Sequence, residues 1–198
     1  MIRKRLLDLC LTIPGLLAIS PLLAVIGLWI KLDSRGPVFF HQTRVGRRGR
    51  PFRVHKFRTM VPEAPALGLE LTTGQDLRIT RAGQFLRRFK LDELPQLFNV
   101  LAGEMSLVGP RPEVPKYVAC YPEAVRALVQ SIPPGITDKA SIEFRNENGL
   151  LDASGDPERT YIEEILPIKL AYYTDYARHH TALGDVRIIL QTLRAILP

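Results

Sequence analysis

The sequence predicts an α+β fold: an N-terminal re-entrant membrane helix-break-helix, then a β-hairpin, then a compact, mostly helical cytosolic domain with interfacial amphipathic helices. Three observations predict it. An apolar run from Leu6 to Ile30 carries Asp8 as its only charge. Two segments rich in Val, Phe and Thr follow, joined by the glycine-bracketed turn Gly46-Arg47-Arg48-Gly49. Beyond Thr80, apolar residues recur mainly at helical spacing. We divide the chain into a membrane hairpin over 1–32 and a catalytic domain lying on the membrane over 33–198.

At about 1.5 Å of rise per residue, roughly 20 residues cross the hydrocarbon core, so the apolar run is long enough to span. Two features argue for re-entry instead. Pro14 and Pro21 each remove a backbone donor and bend or break a helix. Basic residues flank both ends, Arg3-Lys4-Arg5 before and Lys31, Arg35 and Arg44 after, and positive charge marks the cytoplasmic side. A helix that breaks at Ser20-Pro21 and returns to the same face satisfies both signals, with Ser20 bonding a carbonyl that the proline frees. A single-span anchor and a buried helical hairpin are the competing readings. A cleaved signal peptide is disfavoured by the length of the run and the lack of a small-x-small cleavage site.

The net charge of +7 suits an anionic partner. Charge is unevenly placed: from Ser34 to Pro62 there are eight Arg or Lys and no acid. Beside a membrane segment this block reads as attraction to anionic membrane lipid. Nucleic acid is the weaker reading, because the aromatics there fit strand packing as well as base stacking. The two cysteines, Cys10 and Cys120, form neither a metal-ligand spacing nor a disulfide framework, which suits a reducing, cytosol-facing domain.

Along the chain, Pro37–Met60 reads as the hairpin, with the period of two putting Lys56 and Arg58 on one face of the second strand. Val61–Asp76 reads as a loop. Thr80 caps a short helix over 81–89. A second helix follows over 92–104, with Leu94, Leu97, Phe98 and Leu101 at helical spacing. The proline-rich stretch over 105–115 reads as loop, Tyr121–Val129 as helix, and 140–149 as a strand leading to a turn. Tyr161–Arg178 reads as one helix with an interruption at Pro167. The last, Gly184–Leu197, is amphipathic, which suits the membrane interface, packing on the core, or a homodimer contact.

The sharpest chemical candidate is Asp92-Glu93. The pair opens the second predicted helix, just after Arg87, Arg88 and Lys90, where dipole and free N–H groups favour negative charge. A carboxylate kept ionised among cations suits nucleophilic attack on a phosphoryl group. A second carboxylate beside it suits Mg²⁺. Arg111, held between Pro110 and Pro112, offers a planar fork for phosphate oxygens.

The apolar segment with Ser20-Pro21, KFRTM (56–60), LDELPQLFNVLAGEMSLVGPRP (91–112) and PGIT (134–137) resembles the bacterial sugar transferase family, the small monotopic phosphoglycosyl transferases. The resemblance covers essentially the whole chain. It implies a minimal catalytic core without extra N-terminal transmembrane helices, at the cytosolic face of the bacterial inner membrane. It implies transfer of a sugar 1-phosphate from a UDP-sugar donor to a polyprenyl phosphate acceptor, releasing UMP, with no nucleic acid involved. Matched onto this sequence, Asp92 is the nucleophile, Glu93 its partner, Arg111, Lys56, Arg58 and Arg87 the phosphate-binding cations, and Ser20 and Pro21 the membrane break. Mg²⁺ would be held at Asp92 and Glu93, with the direct ligand left open. One departure is visible. Many members read PGITG, whereas here Asp138 follows Thr137, a region expected to bear on the sugar accepted. The competing class is a non-catalytic, membrane-anchored protein that binds anionic lipid or nucleic acid through its basic face.

Overall fold

The computed structural model describes residues 2–64 and 76–196. The apolar run forms a single 32-residue helix, α1 (Ile2–Asp33), which stays helical through Pro14 and Pro21. Pro21 cannot donate to the Leu17 carbonyl one turn back, and Ser20 Oγ takes that carbonyl instead, at 2.9 Å. The compensation expected of Ser20 is present, and the helical backbone holds where the sequence suggested a break.

α1 lies against the rest of the chain along one stripe, with Lys4, Asp8, Thr12, Leu16, Ile26 and Ile30 buried. Leu17, Val25 and Leu28 face outward. By length and composition this helix is apolar enough to cross a membrane. Each end caps another helix. Arg5 donates to the carbonyls of Val100 and Leu101, at 2.5 and 2.8 Å, in the last turn of a helix over 96–102. Asp33 Oδ2 accepts from Ala82 N at 3.1 Å, in the first turn of a helix over 81–88. Ile26 and Ile30 pack with Phe57 and Leu86 as a small apolar cluster.

The predicted hairpin is present. Strands β1 (Phe39–Val45) and β2 (Pro51–Phe57) pair antiparallel, Phe39 opposite Phe57 and Val45 opposite Pro51. The turn between them needs left-handed backbone at Arg48 (φ 58°) and Gly49 (φ 72°), which Gly49 adopts at no steric cost. Most of the loop predicted over Val61–Asp76, residues 65–75, lies outside the described residues. Thr80 caps α2 (Arg81–Arg88) as expected, its hydroxyl accepting from Gly83 N at 3.0 Å.

The helix expected over 92–104 is divided. Leu91–Glu93 form a 3₁₀ turn, and α3 is only Gln96–Ala102. Pro95 lacks the N–H that would reach the Leu91 carbonyl, and Leu94 N bonds it at 3.2 Å in a tighter turn. Asp92-Glu93 therefore sits on the 3₁₀ turn ahead of α3 and not on the first turn of α3 itself.

The proline-rich stretch read as loop contains a strand. β3 (Ser106–Val108) pairs parallel with β4 (Gly135–Thr137), Ser106 opposite Gly135. The two backbones approach so closely beyond β3 that a Cβ on Gly135 would lie 2.1 Å from Gly109 N. Between these strands come α4 (Pro115–Val118) and α5 (Glu123–Val129). The strand read over 140–149 is instead helical, as α6 (Lys139–Glu143) and α7 (Glu147–Asp152). Asp138 is the reason: its carboxylate accepts from Ser141 N at 3.0 Å and Ser141 Oγ at 2.6 Å, an N-cap that commits the chain to a helix.

After α8 (Pro157–Thr160), a π-turn over Tyr161–Ile165 runs into α9 (Leu166–His179), so the irregularity falls just ahead of Pro167. α10 (Ala182–Ile196) closes the described chain. The largest core cluster joins Tyr117 and Val114 to Leu151, Tyr161, Leu166 and Tyr173. Ile188 of α10 packs on Val108, Ile132 and Tyr176, so one face of the last helix belongs to the core while Leu190 and Leu193 are exposed.

Candidate active site

Glu93 is the hub of the site. Arg111 grips it with both terminal nitrogens, Nη1 to Oε2 at 3.2 Å and Nη2 to Oε1, and Lys56 Nζ donates to the same Oε1 at 2.8 Å. Arg111 arrives on the turn after β3, Lys56 from the end of β2, and Glu93 from the 3₁₀ turn, so three segments distant in sequence meet on one carboxylate. The fork geometry is what makes arginine suited to this grip. Burial alone would raise Glu93, but Arg111 and Lys56 hold its carboxyl well below the usual carboxylate range. Lys56 itself is lowered by burial, with Glu93 opposing the shift.

Asp92 is in the opposite condition. It is 8% exposed, not at an open helix start. Burial first, and then the charge on Glu93, push its carboxyl above the ordinary value, against the pull of Lys56, Arg87 and Lys90. Among the described residues no side chain engages Asp92 in a hydrogen bond. Lys90, in left-handed backbone at φ 55°, turns the chain out of α2 and into this position. Arg87 is anchored by Thr59, its Nε donating to Oγ1 at 2.9 Å.

Arg58 does not join the cluster. β2 ends at Phe57, so the period of two that aligned Arg58 with Lys56 no longer applies. Its guanidinium bonds the Arg35 carbonyl at 2.8 Å and the Ser34 carbonyl at 2.7 Å, which ties the chain leaving α1 to the sheet. Ser20 and Pro21 lie on α1 with their sides exposed, apart from the cluster.

Beside Glu93 opens a cavity of ≈ 1060 Å³. Its lining carries the cations Arg87, Arg88, Lys90, Arg111, Arg145 and Lys169, with Glu93 and Glu147 the acids among them. The same lining includes apolar wall, part of it from Leu11 and Gly15 of α1 and Ile189 and Leu193 of α10. Asp92 and Lys56 are not part of the lining and stand directly behind Glu93 in the chain and across its ion pair. The region around Asp138 forms part of the wall through Ser141, Ile142, Arg145, Asn146 and Asn148. Sequence reasoning missed Arg145 and Lys169. The cap pattern Asp138-x-x-Ser141 could have revealed the helix that presents this wall, but nothing local marks Lys169, which pairs with Glu147 and lies 4.9 Å from the Tyr161 ring centroid.

For a divalent cation the two carboxylates are unequal. Both Glu93 oxygens are taken by cations, whereas Asp92 is uncommitted. Among the described residues no three His, Cys, Asp or Glu side chains converge on one point. Of the two carboxylates, Asp92 is the one that would hold a Mg²⁺ ion, which takes oxygen ligands.

The model of the bacterial sugar transferase family matches residues 1–198. The chain is 38% identical, over 99% of its length, to a UDP-glucose:undecaprenyl-phosphate glucose-1-phosphate transferase of Xanthomonas campestris pv. campestris, covering 39% of that protein. It is 41% identical, over 98% of its length, to an undecaprenyl-phosphate glucose phosphotransferase of Komagataeibacter xylinus, covering 36% of it. A third relative, a UDP-N-acetylgalactosamine-undecaprenyl-phosphate N-acetylgalactosaminephosphotransferase of Aeromonas hydrophila, is 35% identical over 98% of the chain and 43% of its own length. The chain thus spans about two fifths of the length of these relatives.

Proposed function

The chain belongs to the bacterial sugar transferase family, and from that premise we propose that it moves a sugar 1-phosphate from a UDP-sugar to polyprenyl phosphate, releasing UMP. The observation that carries the reading is the asymmetric pair. Glu93 is fixed by Arg111 and Lys56, while its neighbour Asp92 is buried and uncommitted. Pairs of acids whose surroundings drive their pKa values apart divide roles between them.

In the first step a carboxylate oxygen of Asp92 attacks the β-phosphorus of the donor. The bond from that phosphorus to the bridging oxygen breaks, and UMP leaves with the electron pair. The sugar phosphate is then esterified to Asp92. In the second step a phosphate oxygen of the polyprenyl acceptor attacks the same phosphorus and displaces the carboxylate, giving polyprenyl diphosphate sugar and free Asp92. Arg111, Lys56 and Arg87 supply fixed positive charge where the diphosphate charge develops, and such preorganised charge is the largest contribution in many enzymes. Glu93 holds two of those cations in position. Mg²⁺, when bound at Asp92, supplies neutralisation of the donor diphosphate.

The lining of the cavity favours an amphiphilic acceptor. Its cations match a phosphate, and its apolar wall, part of it from α1 and α10, matches an isoprenoid chain. Contact between the globular part and both ends of α1, at Arg5 and at Asp33, favours a helix that dips into one leaflet and does not carry its N-terminus to the far side. With basic residues at both ends, this gives a monotopic protein at the cytosolic face of the inner membrane. A cysteine at residue 2 that is labelled only from outside the cell would contradict that topology. A purely lipid- or nucleic-acid-binding role would leave a buried acid and a partly buried one among cations without a purpose.

The reaction is tested with purified, detergent-solubilised protein, Mg²⁺, polyprenyl phosphate and a panel of UDP-sugars. UMP release that requires both substrates and Asp92 is expected. No release with any of the donors, including UDP-glucose and UDP-N-acetylgalactosamine, would count against the proposal.

A further inference from the structure

Asp8 has no part in the chemistry above, yet it is the one charge within the apolar run and is only 4% exposed. A carboxylate on a membrane helix is costly unless the protein supplies its partners. The partners all lie on β3. Ser106 Oγ sits 2.9 Å from both Asp8 oxygens, and Leu107 N donates to Oδ1 at 3.0 Å. One turn earlier on α1, Lys4 Nζ donates to Asp185 at 2.7 Å and to Tyr176 Oη at 2.9 Å. Tyr176 Oη lies 2.6 Å from Asp185 Oδ1 and 3.0 Å from the Val108 carbonyl, with one proton to give to either. Ser106 and Leu107 of β3 are therefore held by α1 directly, through Asp8.

Little slack separates this strand from the site. Only Gly109 and Pro110 intervene before Arg111, and both are fixed by the backbone of β4. Gly109 N donates to the Thr137 carbonyl at 3.0 Å, and the Pro110 carbonyl accepts from Gly135 N at 2.9 Å. A shift of β3 along or away from α1 must move the Arg111 guanidinium relative to Glu93.

We infer that Asp8 is a positioning residue for Arg111: the membrane helix fixes β3, and through it the guanidinium that meets the donor diphosphate. The inference rests on the transferase reading. Seating of α1 and geometry of the phosphate site are then one event, which links catalytic competence to the state of the apolar helix.

A double-mutant cycle tests it in the full chain, in detergent, with UDP-sugar titrated at fixed acceptor. Asp8→Asn keeps the size of the side chain and removes the charge that draws both donors. It is expected to lower kcat/KM for the donor roughly tenfold, mainly through KM, since hydrogen bonds to charged groups are the stronger kind. In the Arg111→Ala background the same substitution is expected to change kcat/KM less than twofold. An equal loss in both backgrounds would overturn the inference, because independent sites add. Ser106→Ala, which deletes one hydroxyl, provides the same cycle if Asp8→Asn does not fold. It should give the same dependence on Arg111 at smaller amplitude, and additivity there would overturn the inference equally. The two readings fail separately. A wild-type protein that releases no UMP refutes the transferase proposal, whereas wild-type turnover with additive variants removes only the role of Asp8.

Discussion

Two parts of the site are built from different materials. The Glu93 cluster rests on short irregular pieces: the left-handed Lys90, the 3₁₀ turn Leu91–Glu93 and the glycine-proline turn that carries Arg111. The apolar wall given by α1 and α10 rests on long regular helices. Irregular backbone can aim a few side chains from distant segments at one point, as Lys56, Glu93 and Arg111 are aimed. A helix face instead offers an extended wall that tolerates many residues of similar character. The contrast implies that substitutions in the Glu93 cluster act on the donor and the chemistry, and those in the apolar wall on the acceptor.

The largest expected effect comes from Asp92→Asn. UMP release should fall by roughly 10³-fold or more, as for the loss of a nucleophile. The melting temperature should hold or rise slightly, because burial already disfavours the charge that the amide removes. Arg111→Ala comes next. Loss of a charge-assisted contact worth about 1.5–3 kcal/mol should raise the donor KM by roughly one to two orders of magnitude. The same variant leaves Glu93 short of a partner, so its stability should drop as well, which a thermal melt would register. On α10, Leu193→Asp sets a charge in the apolar wall. A rise of about tenfold in the acceptor KM, with an unchanged first burst of UMP in the absence of acceptor, is expected. A burst that fell with it would erase the distinction between the two parts.

The smallest effect concerns pH. Asp92 must be ionised to attack, and its carboxyl is raised, so activity should fall on acidification at a pH above the ordinary Asp value of 3.8. Lys90→Met removes one of the charges that lower Asp92 and should move that acid limb upward. For stability the signs of the two acids oppose each other. Glu93 is depressed, so its contribution is present above its unfolded pKa and is lost as pH falls through the lower folded value. Asp92 is raised, so it favours the folded state below its unfolded pKa and loses that contribution as pH rises through its folded value. A pH–rate profile of the variant beside a pH–melting profile of the wild type checks both statements.

The same contrast governs what could be read from the sequence. The hairpin was legible because Val, Phe and Thr alternate around a turn whose glycine is needed for its backbone. α2 was legible from its Thr80 cap, and α1 from its apolar length. β3 and β4 were not, because each is three residues long, flanked by proline or glycine, and paired in parallel across a long connection. Such pairing leaves no local pattern. The segment over 140–149 was misread because Ile142 and Phe144 alternate like a strand, while the Asp138 cap that decides the matter lies outside it. Asp92, Glu93, Lys56, Arg87 and Arg111, singled out by motif and charge, are brought near one another by the fold. Arg58 was grouped with Lys56 through the KFRTM resemblance and the strand period, and the period stops applying where β2 ends at Phe57. The wall over 141–148 and Lys169 come from helices whose convergence only the fold determines.

The central claim is that Asp92 carries the sugar phosphate. Its direct test is intact-protein mass spectrometry after incubation with a UDP-sugar and Mg²⁺ in the absence of acceptor, with peptide mapping of the adduct. A mass increase equal to one phosphosugar, located at Asp92, discharged by polyprenyl phosphate and absent from Asp92→Asn, is the predicted result. UMP released at full rate with acceptor present, yet no adduct on the wild type under any quench, or an adduct on another residue, would contradict the account.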